Sequence, residues 1–162
     1  MSQRFQSIMF FLSAVLFAML FFMPLSEYVG EINMLQFNAF GIESLIPNGE
    51  VPFGNMFALP VLVLSVTSLL LGLYLSFGIF RAVKLAQFQQ LYRIACIDLV
   101  VVVAWIALVY AYYIMAVGKP IGATPTFKAG AFLPLASLVL VLVGSAGLRK
   151  DIKKVRATDR LR

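Results

Sequence analysis

The 162-residue chain contains no histidine, and this excludes more chemistry than any other feature of the sequence. Histidine is the commonest general base, the commonest metal ligand and the side chain that titrates near neutral pH. Without it, Ser-His-Asp triads and His-based metal sites are excluded. Cysteine occurs once, as Cys96, so neither an internal disulfide nor C-x-x-C redox chemistry is possible. No Gly-rich phosphate motif of the Walker or dinucleotide type is present. Charge is scarce as well. Only 12% of residues are Asp, Glu, Lys or Arg, against roughly 25% in an ordinary soluble domain. No catalytic residue, cofactor or metal site is therefore expected.

What fills the chain is hydrocarbon, with 62% of residues hydrophobic. That is more apolar surface than one soluble domain can bury, so the expected solvent is lipid. Four apolar runs stand out: 7–25, 56–80, 94–117 and 131–148. Each approaches the ~20 residues that a helix rising about 1.5 Å per residue needs to cross a bilayer. The first follows Arg4 and invites comparison with a cleaved leader. It exceeds the apolar core of roughly 7–15 residues typical of a leader, and no small-x-small site follows, so it reads as a retained span. The expected fold is all-α, a single four-transmembrane-helix bundle over 1–162 with a basic tail at 149–162.

The cations orient it. Of the 13 Lys and Arg, only Lys119 and Lys128 fall on the side that carries the first and third loops. Arg4, Arg81, Lys84, Arg93 and the tail residues Arg149, Lys150, Lys153, Lys154, Arg156, Arg160 and Arg162 all fall on the other. By the positive-inside rule both termini are cytoplasmic. The first outer loop holds Glu27, Glu31, Glu43 and Glu50, spaced too far apart for a calcium loop. Its β-compatible stretches 32–40 and 42–46, with the turn Pro47-Asn48-Gly49, predict a small hairpin-like cap between helices 1 and 2. Residues 118–130 read as a Gly/Pro loop. Residues 81–93 read as helical extensions of spans two and three.

The two ends of the chain carry a resemblance. The opening QRFQSIMFFLSAVLFAMLFFMPL and the ending RKDIKKVRATDRLR, above all VRATDRLR, resemble a family of small four-span bacterial inner-membrane proteins filed only as a domain of unknown function. The resemblance implies the four-span fold and a bacterial cytoplasmic membrane. It implies no activity, cofactor or catalytic residue.

Three groups of residues are candidates for function. Asp98 is the one acid within an apolar run, placed about 6 Å from the inner boundary if span three starts at Ile94. It reads as an interfacial carboxylate paired with Arg81, Lys84 or Arg93, or alternatively as a proton or ion site. Asp98, Trp105 and Tyr112 recur at spacing seven and predict one polar and aromatic face able to take a lipid or quinone. The competing reading makes Tyr110, Tyr112 and Tyr113 an outer aromatic belt. Ser65, Ser68, Gly72 and Ser76 form a small-residue stripe that allows close helix packing, within the bundle or against a partner. The tail cations fit anionic lipid or a protein partner, and their position at span ends argues against nucleic acid. The expected function is a non-catalytic accessory or scaffold subunit of a bacterial inner-membrane assembly, with a membrane-protein partner. The alternative is a small transporter or lipid/quinone-binding module built on Asp98.

Overall fold

The computed structural model describes residues 3–54 and 56–159. It contains four helices long and apolar enough to cross a membrane. Helix α1 (Gln3–Leu20) buries Gln6, Phe10, Ser13, Ala14, Phe17 and Leu20, a stripe at spacings of three and four. Helix α2 (Leu59–Arg81) carries Pro60 in its first turn, where a missing N–H leaves no intrahelical bond unmade. A three-residue link then leads into α3 (Leu85–Leu108), whose start is fixed by Gln87. The Gln87 side-chain oxygen accepts the backbone N–H groups of Val83 and Lys84 at 2.9 and 3.0 Å. Extension of span three back to Leu85 makes the basic link far shorter than the apolar run alone implies.

Span three does not end as a regular helix. A π-helical turn (Val109–Tyr113) follows α3 and leads into a short helix, α4 (Ile114–Gly118). A 3-10 turn (Lys119–Ile121) then closes at Gly122, which takes the left-handed φ of 62° that glycine adopts without cost. The last helix, α5 (Ala129–Asp159), runs on beyond the apolar run into the basic tail, in keeping with the helical spacing of Leu148, Ile152 and Val155. Arg160 and Arg162 lie outside the described residues. Helix α1 packs on α2 and α5, and α3 packs on the same two, which closes the bundle in the order α1-α2-α3-α5.

One end of the bundle is capped by a four-stranded antiparallel sheet of order β3-β2-β1-β4. Strands β1 (Ser26–Val29), β2 (Met34–Phe37) and β3 (Ile42–Ser44) come from the first loop. The turns between them fall at residues 30–33 and 38–41, so the Pro47-Asn48-Gly49 turn comes after β3 rather than between strands. Strand β4 (Pro125–Phe127) comes from the other loop at this end and pairs with β1, Glu27 facing Thr126. The cap is thus a joint product of both loops, which corrects the reading of a hairpin confined to the first. Lys128 reinforces the seam through its backbone N–H to Leu25 at 3.0 Å and its ammonium to Glu27 at 2.8 Å.

Two apolar clusters fill the interior. Phe17, Leu25, Tyr28, Phe37, Trp105, Val109 and Tyr113 join the upper bundle to the sheet. Phe10, Leu75, Ile79, Phe88 and Leu148 fill the end that carries the tail.

Candidate functional site

Where the bundle interior is polar, the polar atoms meet across helix pairs. On the α2–α3 seam the Ser68 hydroxyl donates to the Asp98 carboxylate at 2.9 Å, and the Trp105 indole N–H donates to Ser65 at 2.7 Å. Ser65 in turn donates to the Val61 carbonyl at 2.7 Å, so the indole meets a hydroxyl oxygen already oriented to accept. All four side chains are buried, Asp98 completely. Phe17 of α1 closes the site from the third side, its ring edge-on to Trp105 at 6.3 Å between centroids. The second carboxylate oxygen of Asp98 is buried with no hydrogen-bond partner among the described residues.

This geometry corrects the expected pairing of Asp98 with a cation. Its partner Ser68 lies two residues from the middle of the 23-residue α2, about 3 Å along the axis. Asp98 is 13 residues into α3, which begins at Leu85 within the helical extension expected before Ile94. Arg81, Lys84 and Arg93 are exposed and make no ion pair with it. Arg93 is the instructive case. Five residues along a helix turn it about 140° away from Asp98, at ~100° per residue.

The spacing-seven face is also revised. Asp98 and Trp105 share the buried side of α3, but Tyr112 is 55% exposed and Tyr113 is buried in its stead. The π-helical turn inserts one residue, so every inward position after Val109 arrives one residue later. Neither Tyr110 nor Tyr113 stands free as a belt residue. Tyr113 donates to the Phe57 carbonyl at 2.6 Å and stacks on Phe37, while Tyr110 donates to the Ala131 carbonyl at 2.6 Å and stacks on Phe127. From the sheet, Tyr28 donates to the Ile114 carbonyl at 2.8 Å. Three phenols therefore fasten the sheet and helix starts to the irregular end of span three.

The small-residue stripe of α2 faces inward along its whole length, but toward two different helices. Ser65 and Ser68 address α3. Gly72 faces α1, where an added Cβ would lie 3.1 Å from the Ala14 Cβ and 3.2 Å from the Phe10 carbonyl oxygen. Ser7 of α1 then donates to the Ser76 carbonyl at 2.8 Å.

The sequence reading missed a second buried acid. Asp151, one turn into the tail, is buried and accepts the Gln6 side-chain N–H at 2.6 Å. The signal was available: Asp151 falls among Leu148, Ile152 and Val155, the inward stripe of the tail helix. Arg149, Lys150, Lys153, Lys154 and Arg156 are exposed on the remaining faces. No cluster of His, Cys, Asp and Glu suited to a metal occurs among the described residues.

No curated protein and no solved structure matches the chain. A family described as a domain of unknown function, DUF4293, matches residues 2–161. The resemblance read from the two ends of the sequence thus extends over nearly its full length, and the chain belongs to that family.

Proposed function

We propose that the protein is a multi-pass protein of a bacterial cytoplasmic membrane, with both termini in the cytoplasm, and that it serves as an accessory or scaffold subunit of a membrane assembly. The sheet cap carries this reading. Two separate loops are joined in one sheet and fastened by phenol-to-carbonyl bonds, giving a platform whose edge strand β3 has no further strand beside it among the described residues. Exposed apolar side chains surround that platform, Ile32 at 84% and Phe40 at 62% exposure. A free edge and exposed apolar groups are what a partner strand or loop engages. The cations at the opposite end support the orientation, since all of the 13 but Lys119 and Lys128 flank the apolar helices on that side.

Purification in mild detergent tests the reading. A stoichiometric partner should co-elute with the wild type and be lost when Ile32→Ser and Phe40→Ser are combined. A chain that elutes alone in both forms would remove the scaffold role.

A second reading, a small transporter or a lipid- or quinone-binding module, is favoured by one observation. Asp98 is wholly buried near mid-helix, with one carboxylate oxygen unpartnered and no cation beside it. An acid so placed is costly in a membrane and is commonly retained for function. Vesicles holding Asp98→Asn should lose solute or proton flux if this reading holds, and flux equal to wild type would end it.

A further inference from the structure

A groove of about 510 Å³ runs along the α3–α5 seam at the end of the bundle that carries the tail. The two helices are antiparallel there, and this sorts the chemistry of its walls by depth. Leu99 and Leu142 line the end nearer the middle of the helices. Tyr92, Arg149, Lys150 and Lys153 line the outer end. Among the described residues the groove is lined by three cations and no carboxylate. The nearest acid in sequence, Asp151, is turned away and held by Gln6. Ser145, also in the wall, has a buried hydroxyl without a hydrogen-bond partner among the described residues.

We propose that this groove binds one anionic phospholipid, its phosphate against Arg149, Lys150 and Lys153 and one acyl chain laid toward Leu99 and Leu142. Depth and charge select the ligand. Unpaired cations at the mouth of a cleft between membrane helices attract anionic headgroups. The apolar end borders the exposed side chains of Val103, Val139 and Val143, a face from which a hydrocarbon chain enters sideways and a soluble anion gains nothing. Tyr92 lines the same end of the groove as the cations, and an amphipathic ring there suits a headgroup. The site is independent of the scaffold reading, because it lies at the opposite end of the bundle from the sheet.

Cys96, the chain's single cysteine, lines the same groove and reports on its occupancy. The intact protein is purified in detergent, and the rate of Cys96 alkylation by a small maleimide is followed as phosphatidylglycerol or phosphatidylcholine is added. Phosphatidylglycerol should slow alkylation several-fold at concentrations where phosphatidylcholine has no effect. In Arg149→Gln/Lys150→Gln/Lys153→Gln the phosphatidylglycerol needed for half-protection should rise by about fivefold per cation removed, the equivalent of about 1 kcal/mol each. Lys154→Gln/Arg156→Gln removes tail charge outside the groove and should leave protection intact. If the triple variant does not fold, Lys150→Gln read alone, with lipid retention counted by native mass spectrometry, carries the same comparison. Equal protection by phosphatidylcholine, equal loss in the Lys154/Arg156 variant, or full protection by glycerol phosphate without acyl chains would each overturn the proposal.

Discussion

Asp98 accepts the Ser68 hydroxyl at 2.9 Å across the α2–α3 seam, close to the midpoint of α2 and without a cation in the pair. An amide can replace the acid here with little loss, because its oxygen still accepts from Ser68. Asp98→Asn should therefore keep thermal stability in detergent within about 1 kcal/mol of wild type, whereas Asp98→Ala strands the buried hydroxyl and should cost roughly 1–3 kcal/mol. Melting curves of the two variants in one detergent decide it. Equal losses would mean that the Ser68 bond contributes nothing.

Tyr28 supplies a pH dependence. Burial pushes its phenol above the ordinary tyrosine value of 10.0, and the hydrogen bond from Ser26 offsets only part of that rise. The folded state thus holds its proton more tightly than the unfolded chain. The resulting stability is fully present below about pH 10 and is lost as pH rises through the folded value. Tyr28→Phe should cost about 1 kcal/mol at neutral pH through the lost bond to the Ile114 carbonyl. The gap between wild type and variant should narrow as pH rises past about 10. A constant gap in melting temperature across that range would show that Tyr28 does not titrate with unfolding.

Most of the helical frame could be read from hydropathy, because a span must present about 20 apolar residues whatever its neighbours are. What escaped was set by distant partners. Strand β4 is three residues long inside GKPIGATPTFKAG, and its only reason to be a strand is the β1 edge about 100 residues earlier. The partner of Asp98 was missed because it is a hydroxyl on another helix, Ser68, rather than one of the cations near it in sequence. Replacement of Tyr112 by Tyr113 on the inner face was invisible, since no Pro or Gly marks the π-helical turn. At the candidate site the sequence supplied Asp98, Trp105, Ser65 and Ser68, but not which atom meets which.

Lys128 bridges to Glu27 across the β1–β4 edge, with the two side chains 37% and 27% exposed. A pair so open to water is screened and contributes little, about 0–1 kcal/mol. Lys128→Gln should lower the melting temperature slightly in dilute buffer and not at all in high salt. A loss that persists at high salt would assign the contribution to packing rather than to charge.

Topology is tested by single cysteines placed in a Cys96→Ser background. Asn48 and Thr124 lie in the two loops that share the sheet, so cysteines at both should react with an impermeant reagent from the same side. With both termini cytoplasmic, cysteines at Ser2 and Lys154 should react only after the cells are opened. Labelling of Lys154→Cys in intact cells would reverse the orientation. Labelling of Asn48 and Thr124 from opposite sides would dissolve the joint sheet.

Gly72 marks the closest approach of α2 to α1. The Cβ of any other residue would come within 3.1 Å of Ala14 and 3.2 Å of the Phe10 carbonyl oxygen, tighter than ordinary van der Waals contact. The obstruction includes backbone, so the helices have to move apart rather than let a side chain swing aside. In lipid that separation is costly because close packing is one of the few forces that favour helix contact over hydrocarbon. Ser7–Ser76, one turn away on the same seam, would be pulled open with it. Gly72→Leu should therefore destabilise the bundle by roughly 1–3 kcal/mol, in the range seen for overpacking. Leu70, 59% exposed on the outer face of α2, is the matched control, and Leu70→Ala should be nearly silent. Both are read as thermal stability in one detergent. Equal, small shifts would mean that α1 and α2 do not meet at Gly72.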